Sequence, residues 1–311
     1  MKQERNERYV VTAGATYLDI DAYACMVAMA ELLTLMGKDA VAYSSAPTNY
    51  SVTPSLLREG QVLRMLPEDG SFSEARIVVV DVSDPDFLGK DLPLDCVRAV
   101  YDHHAGFEGY WQERIGAGAH IEFIGAAATL ILREWRQAGL EDKMTRETAE
   151  LLAAAILDNT LYLSSANTTQ EDRDALFTLC SRCGMDDARC ASYFAEVQKS
   201  IEADLESAIL KDVKHVGENP VLPPTVGQLA VFDAQGLLHR LPEICRLFDG
   251  RFDGWMLNVI DVGRACSYFV CKDALCKQRI GKVFGVSFEG DVARTERAYL
   301  RKEILKKTVK V

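Results

Sequence analysis

Two short apolar runs, each ending in an aspartate, constrain the fold of this 311-residue chain most strongly. They are Arg76–Asp81, with the sequence RIVVVD, and Val97–Asp102, with the sequence VRAVYD. Continuous apolar runs of this length are typical of strands that are buried on both faces of a parallel sheet. Longer helical patterns alternate with such runs along the first half of the chain. The alternation predicts a doubly wound, mostly parallel α/β sheet.

The predicted elements also indicate a division into two domains. In the first half, strands are expected at 9–12, 40–43, 76–81, 97–102 and 120–124, and helices at 21–36, 54–66, 126–138, 145–157 and 170–182. A helical stretch at 187–210 then leads into a segment that contains Pro and Gly, at 217–224, which is typical of a boundary. Beyond it, strands at 228–232, 255–260 and 266–271 and helices at 236–248 and 291–306 predict a smaller α/β domain. We therefore expect one domain at 1–195 and a second at 205–311.

Charge and composition exclude some classes of function. The formal net charge is -11, from 46 acidic and 35 basic residues, which argues against a protein dedicated to binding duplex nucleic acid. No apolar run reaches the roughly 18 residues needed to span a bilayer, and the charged start has no signal-peptide core, so we expect a cytoplasmic protein without a membrane partner. Nine scattered cysteines suit free thiols in a reducing compartment. The pair Cys180 and Cys183, with Cys190 nearby, could form half of a zinc site, but no second pair of ligands accompanies it.

Acidic residues follow the predicted strands at the points where each strand ends. Asp19 and Asp21 come after the first strand, Asp81 ends the third, and Asp102-His103-His104 ends the fourth. Asp158 closes a later apolar helix. The carboxyl ends of parallel strands meet at one sheet edge, which is where open α/β sheets bind ligands. Carboxylates gathered there would repel one another unless cations lay among them, and oxygen and nitrogen ligands suit Mn²⁺, Mg²⁺ or Co²⁺.

Each of these residues also has an ordinary structural interpretation. Asp19 or Asp21 could cap a helix, Asp81 and Asp158 could cap loops, and His103-His104 could form a surface turn. The functional interpretation depends on the combination: acids end two successive buried strands, and one of these acids is followed by two of only five histidines.

The combination resembles the DHH phosphoesterase superfamily, whose signature is an Asp-His-His after a hydrophobic strand. The landmarks occur in that family's order over about 160 residues. They are Asp19-Ile-Asp21-Ala22, Asp81 after Ile77–Val80, Asp102-His103-His104, Glu122–Thr129 with the sequence EFIGAAAT, and Ala154–Thr160 with the sequence AAILDNT. In the second half, Asp212-Val-Lys214, Gly227-Gln228 and Leu300–Glu303 look like segments of manganese-dependent (family II) inorganic pyrophosphatases and related exopolyphosphatases.

The resemblance implies a role for each matching residue. Asp81 would bridge two divalent ions, Asp19 would bind the first ion, and Asp21, His103 and Asp158 would bind the second. His104, beside Asp102, would face a substrate phosphate, and Lys214, Arg301 and Lys302 would hold the rest of the substrate. The implied catalytic residues are thus Asp102, His104, Lys214 and Arg301, with Mn²⁺ as cofactor and Co²⁺ or Mg²⁺ as alternatives. The domain at 1–195 would bind the metal and the domain at 205–311 the substrate.

Two positions depart from the family's pattern. The His expected four residues before Asp19 is Ala15, whose methyl group cannot bind a metal, and the Ser expected before Arg301 is Leu300. We therefore expect a chain that holds one or two ions, the second of them recruited together with the substrate.

The resulting hypothesis is a metal-dependent hydrolase of phosphoanhydride or phosphoester bonds, similar to pyrophosphatases and exopolyphosphatases, in which metal-activated water attacks phosphorus. The alternatives are a true inorganic pyrophosphatase, a catalytically weakened sensor of a phosphorylated metabolite or nucleotide, and a phosphodiesterase acting on dinucleotides. The expected partner is a small phosphorylated substrate, and the chain could form a homodimer.

Overall fold

The computed structural model describes residues 7–57, 60–65, 72, 75–90 and 92–308. The chain divides into two compact units. The first comprises Met1–Leu163 and Asn167–Cys190, and the second comprises Ser164–Ala166 and Ala191–Val311. Among the described residues, no helix has the length and apolar character needed to cross a membrane.

The first unit is built on a six-stranded sheet in which all strand pairs are parallel. Its strands are β1 Arg8–Thr12, β2 Asp39–Tyr43, β3 Val62–Leu63, β4 Arg76–Val80, β5 Val97–Asp102 and β6 Ala119–Ile121. Their order in the sheet is β3-β2-β1-β4-β5-β6, so the chain builds outward from β1 in one direction and from β4 in the other. The boundary between β1 and β4 is therefore a topological switch point, the place where such sheets bind ligands.

In the described part of the first unit, five α-helices pack with this sheet, and their apolar residues form the core together with the strands. They are α1 Ile20–Leu35, α2 Glu108–Ile115, α3 Ala127–Gln137, α4 Arg146–Asn159 and α5 Gln170–Cys183. Residues 77–80 of β4 are all buried, as expected for a strand covered on both faces. Helix α6, Asp187–Ala203, begins in the first unit and continues in the second.

The second unit contains a five-stranded mixed sheet in the order β11-β10-β9-β8-β7. Its strands are β7 Val213–His215, β8 Thr225–Val231, β9 Trp255–Asp261, β10 Cys266–Cys271 and β11 Val292–Arg294. The β8–β9 pair is parallel and the other pairs are antiparallel. Its helices are α7 Leu205–Leu210, α8 Gln235–His239, α9 Leu241–Asp249, α10 Ala274–Phe284 and α11 Arg301–Thr308. The predicted fold class is confirmed.

One predicted helix is wrong, and another begins ten residues later than predicted. In the segment 54–66, of which 58, 59 and 66 lie outside the described residues, Val62–Leu63 forms β3 and pairs with Ala42 and Tyr43. Gly60, at φ 82°, adopts the left-handed conformation that a regular helix does not contain. In the segment 291–306, Val292–Arg294 forms β11 on the edge of β10, and the helix starts only at Arg301.

Smaller differences have local causes. The helix predicted at 187–210 is interrupted at Asp204, whose side chain accepts a hydrogen bond from the backbone N–H of Ser207 and starts α7. Helices α2 and α10 are not among the elements predicted from the sequence. Helix α2 has a mostly polar sequence, in which Trp111 is the buried anchor.

A close backbone approach at Gly118 gives a test of how tightly β5 and the segment before β6 are packed. A Cβ atom at this position would lie 2.2 Å from the carbonyl oxygen of Arg98. We expect Gly118→Ala to lower the free energy of unfolding by about 1–3 kcal/mol, because the backbone must move to accommodate the methyl group. Chemical denaturation measures the change. Gly109→Ala, in a helical position where a Cβ meets nothing within 4 Å, is the matched control and should not destabilise. Equal stability of the two variants would contradict the packing described.

Candidate metal centre

The candidate site lies at the carboxyl ends of the strands that flank the switch point. Asp81 directly follows β4, Asp102 is the last residue of β5, and Asp19 and Asp21 lie where the chain after β1 enters α1. This placement follows from the parallel strand order, since β1, β4 and β5 are neighbours in the sheet.

Four predicted residues form one compact cluster. The potential ligand atoms of Asp81, Asp102, His103 and His104 all lie within 4.8 Å of one another. His103 Nε2 is 3.3 Å from Asp81 Oδ1 and 3.9 Å from Asp21 Oδ2, and the side chains of His103 and Asp21 are completely buried. The imidazole of His103 thus lies between a carboxylate from the β1 side of the switch point and one from the β4 side.

The backbone at Asp81 is held in an uncommon conformation. Its φ of 56° falls in the left-handed region, which non-glycine residues rarely adopt. The Asp81 N–H still donates to the carbonyl oxygen of Tyr101 at 2.8 Å, so the residue stays attached to β5 at the point where β4 ends. Strained backbone of this kind is found most often at functional sites, where the surrounding structure maintains it.

Asp102 organises the two histidines that follow it. Its Oδ1 accepts hydrogen bonds from the backbone N–H groups of His103 and His104, at 2.7 and 3.1 Å, and lies 2.7 Å from His104 Nδ1. Burial by itself would raise the pKa of Asp102, but the charge of His104 and hydrogen bonds from His104 and Ser83 hold this pKa below its usual value. Asp102 is therefore ionised and fixes the orientation of the His104 ring, whose side chain is 49% exposed.

Asp19 and Asp21 both make helix-capping contacts. Asp19 caps its own helix by accepting from the N–H of Ala22 at 2.9 Å. Asp21 accepts from the N–H groups of Ala127 and Ala128, both at 2.9 Å, at the start of α3. Both acids thus cap a helix, as the structural interpretation predicted. A carboxylate can accept several contacts at once, so a capping role does not by itself exclude metal binding.

A buried thiol lies next to the carboxylates. Cys25 donates to Asp21 Oδ1 at 3.4 Å. Burial raises the pKa of Cys25 well above its usual value, and the charges of Asp21, Asp81 and Asp19 raise it further. Cys25 therefore stays a neutral thiol, chiefly because it is buried, and the three neighbouring carboxylates add to this effect.

Asp158, the remaining predicted ligand, lies in the last turn of α4, a helix that packs on α1. The chain after it is unusual, because Leu161, Tyr162 and Leu163 all have positive φ values, of 51°, 56° and 63°. The hydroxyl of Thr160 supports this turn by accepting from the N–H of Leu163 at 3.0 Å. The role of Asp158 as a ligand stays a prediction.

The donor set fits a hard divalent cation. The clustered ligand atoms are carboxylate oxygens and imidazole nitrogens, which suit Mn²⁺, Co²⁺ or Mg²⁺. Among the described residues, Cys180, Cys183 and Cys190 are free and do not form a comparable group, and the Cys183 thiol donates instead to the carbonyl oxygen of Cys180 at 3.8 Å.

The predicted substrate-binding cations lie in the second unit. Lys214 is on β7, in register with Val226 of β8. Arg301 starts α11, and its guanidinium donates to the carbonyl oxygen of Asp212 at 2.7 Å and forms an ion pair of 2.6 Å with the Asp212 carboxylate. Arg301 Nη1 also reaches the carbonyl oxygen of Val226 at 3.5 Å, so Lys214 and Arg301 approach the same residue of β8.

Hydrogen bonds that no sequence pattern predicted hold this end of α11. Gln228 Oε1 accepts from the N–H of Arg301 at 2.6 Å, and the buried Asn258 donates to the carbonyl oxygen of Tyr299 at 2.6 Å. Asp212 and Gln228 both lie in segments that had been singled out, but only the contacts over 73 or more residues reveal what they do.

Several curated protein sequences are similar to this chain over most of its length. No family model matches it. A "Probable manganese-dependent inorganic pyrophosphatase" of Deinococcus radiodurans is 27% identical over 301 residues, covering 88% of this chain and 89% of that protein. A protein of the same description from Listeria welshimeri is 24% identical over 287 residues, covering 90% and 86%.

Solved structures share the fold. The crystal structure of a "putative family II inorganic pyrophosphatase" from Methanococcus jannaschii matches with a TM-score of 0.69 and 20% identity, covering 98% of this chain and all of that chain. An exopolyphosphatase-related protein from Bacteroides fragilis matches with a TM-score of 0.53 and 14% identity, covering 98% and 91%. The resemblance predicted from the sequence motifs is confirmed by these relatives.

The departure at Ala15 can be tested directly. Ala15 is exposed and lies in the loop before α1. Its N–H donates to the carbonyl oxygen of Phe87 at 2.9 Å, and its methyl group lies close to Gly89. We expect Ala15→His to add a second tight Mn²⁺ site, or to tighten the weaker site at least about tenfold, because imidazole is a good ligand for such ions. Titration of the metal-free protein, followed by electron paramagnetic resonance, counts the bound ions. Thr16→His, at the exposed neighbouring position, is the control. Equal Mn²⁺ binding by both variants would refute the idea that Ala15 weakens one Mn²⁺ site.

Proposed function

We propose that this chain is a manganese-dependent hydrolase of phosphoanhydride and phosphoester bonds, similar to inorganic pyrophosphatases and exopolyphosphatases. The observation that carries the proposal is the buried convergence of Asp21, Asp81 and His103 at the switch point of the parallel sheet, beside the Asp102–His104 pair. The relatives described as manganese-dependent inorganic pyrophosphatases support the same chemistry.

The residues proposed to hold metal are Asp19, Asp21, Asp81, His103 and Asp158. When bound there, a divalent ion supplies Lewis acidity, which activates water and offsets phosphate charge. The protein contributes a buried and preorganised set of ligands. Asp21 is oriented by two backbone amides of α3, and the left-handed backbone of Asp81 places that residue directly beyond the buried end of β4. Removal of such supporting contacts typically lowers metal affinity by about 10–100-fold.

His104 is proposed to contact the substrate phosphate. Its Nδ1 is engaged by Asp102, so its Nε2 is the nitrogen available to a ligand, and the half-exposed ring is accessible to one. This nitrogen is proposed to contact a phosphate oxygen or the leaving group of the substrate.

Lys214, Arg301 and Lys302 are proposed to neutralise the remaining phosphate charge. The ion pair with Asp212 and the hydrogen bond from the Arg301 N–H to Gln228 restrict Arg301 before substrate binds, which lowers the entropy cost of binding. A guanidinium can bind two phosphate oxygens at once, whereas Lys214 and Lys302 act as point charges.

The substrate is proposed to be a small phosphorylated molecule. The description of the relatives favours inorganic pyrophosphate as one candidate. Ala15, in place of a metal-binding His, favours a broader activity on phosphoanhydrides or phosphoesters. Phosphate release from a panel containing pyrophosphate, short polyphosphate and a dinucleotide, each with Mn²⁺, Co²⁺ and Mg²⁺, separates these candidates. Tight binding without turnover under every metal would instead identify a sensor.

We also propose that the chain works in the cytoplasm. All nine cysteines are free, which suits a reducing compartment. The homodimer stays a prediction, which sedimentation of the purified chain would test.

Removal of a proposed metal ligand tests the site. We expect Asp81→Ala and His103→Ala each to reduce Mn²⁺-dependent phosphate release at least about a thousandfold, because each removes a group that contacts the ion. Circular dichroism should show that both variants remain folded. His239→Ala, at an exposed histidine of the second unit, is the control. Near-normal activity in either ligand variant would show that the site has been assigned wrongly.

Arg301 offers a test of the second unit. We expect Arg301→Ala to lower kcat/KM by about ten- to hundredfold, because it removes a charge-assisted contact worth roughly 1.5–3 kcal/mol. Arg301→Lys should recover only part of the loss, since an ammonium cannot bind two oxygens in the same geometry. Arg246→Ala, at an exposed arginine of α9, should leave steady-state kinetics unchanged. An Arg301→Ala enzyme with unchanged kcat/KM would exclude Arg301 from the site.

A further inference from the structure

Asp172 is a fully buried carboxylate that no sequence motif marked. It occupies the third position of α5, where it forms a capping box with Thr169. Its Oδ2 accepts from the backbone N–H and from the hydroxyl of Thr169, both at 2.7 Å. A capping box alone needs no contact outside its own helix.

Asp172 nevertheless binds a second segment that lies more than forty residues earlier. Its Oδ2 also accepts from the N–H of Gly125 at 2.9 Å, and its Oδ1 accepts from the Thr129 hydroxyl at 2.6 Å. The approach is close enough to require glycine, since a Cβ at position 125 would lie 2.7 Å from Asp172 Oδ2. The carboxylate therefore holds both ends of the segment 125–129.

The same segment supplies the amides that orient Asp21. Ala127 and Ala128, which lie between Gly125 and Thr129, donate their N–H groups to the two oxygens of Asp21. The N-cap residue of α3, Ala126, makes no capping hydrogen bond with its side chain, so the helix start depends on acceptors from elsewhere in the chain. Asp172 and Asp21 thus clamp one helix start between them.

We propose that Asp172 is a positioning residue of the metal centre: it fixes the first turn of α3, and this turn fixes the Asp21 carboxylate next to His103. The proposal rests on the proposed function, because it assigns Asp21 to the metal. A displacement of the α3 start would rotate or shift the Asp21 oxygens, which now lie as close as 3.9 Å to His103 Nε2. Outer contacts to metal ligands commonly change metal affinity by about 10–100-fold when they are removed.

The neighbouring residue Glu171 provides a matched control. It is also on α5 and also contacts α3, through a bidentate pair with Arg133 at 2.8 and 2.9 Å. This pair is partly exposed, and it does not involve the backbone amides that donate hydrogen bonds to Asp21. Glu171→Gln therefore weakens the same helix–helix contact without loosening the start of α3.

The experiment measures the Mn²⁺ affinity of the unchanged protein and of three variants. Metal-free samples are titrated with Mn²⁺, and electron paramagnetic resonance detects binding. We expect Asp172→Asn to weaken Mn²⁺ binding by about 10–100-fold and Glu171→Gln by no more than about twofold. Gly118→Ala controls for a general loss of stability, because it destabilises the first unit elsewhere and should keep the affinity of the unchanged protein. A merely structural role of Asp172 predicts that Asp172→Asn behaves like Gly118→Ala.

Thr129→Val keeps the experiment decisive if Asp172→Asn does not fold. It removes one of the contacts to Asp172 while preserving side-chain shape, and we expect it to weaken Mn²⁺ binding several-fold. Unchanged Mn²⁺ affinity in the folded variants would overturn the positioning role and leave the proposed function intact. If the unchanged protein itself failed to bind Mn²⁺, the proposed function would fall together with this inference.

Discussion

The structure of the site depends on the close approach of one imidazole to two carboxylates at the switch point of a parallel sheet. His103 lies 3.3 Å from Asp81 and 3.9 Å from Asp21 in a fully buried position. Anionic groups gathered in low dielectric repel each other strongly, and proteins maintain such an arrangement where a cation or a network of donors compensates. Both kinds of compensation are relevant here: backbone amides of α3 donate to Asp21, and we propose that a divalent ion does the rest. The chemistry proposed for the chain follows from this local concentration of negative charge.

The site is held rigid by acidic side chains that accept hydrogen bonds from the backbone. Asp102 accepts from two N–H groups and from the His104 ring, and Asp172 accepts from Gly125, Thr129 and Thr169. Each of these hydrogen bonds involves an acidic side chain that is buried, where charge-assisted bonds are strong and unsatisfied groups are costly. The same residues would be interpreted as caps if they were considered singly. Capping is compatible with the proposed metal binding, because a carboxylate can accept several bonds at once.

The two units make different contributions to the proposed reaction. The first gathers carboxylates and imidazoles, and the second presents cations, among which Arg301 is restrained by Asp212 and Gln228. The resemblance to pyrophosphatases implies a metal-binding His at position 15, where this chain has Ala15. We propose that the lack of this imidazole weakens one of the two ion sites. The range of phosphate substrates is therefore where we expect this chain to differ from a dedicated pyrophosphatase.

The sequence by itself determined the fold class and the acids that end β4 and β5. It also predicted a division into two domains. These features are local: a continuous apolar run predicts a buried strand, and its last residue must lie at the edge of the sheet. Only the tertiary structure decided which strands are neighbours, that Val62–Leu63 and Val292–Arg294 are strands, and that Asp21 and Asp172 share one helix start. The physical reason is that edge-strand pairing and buried hydrogen bonds join residues tens to more than a hundred positions apart. Such partners leave no periodic signal in the segments that they connect.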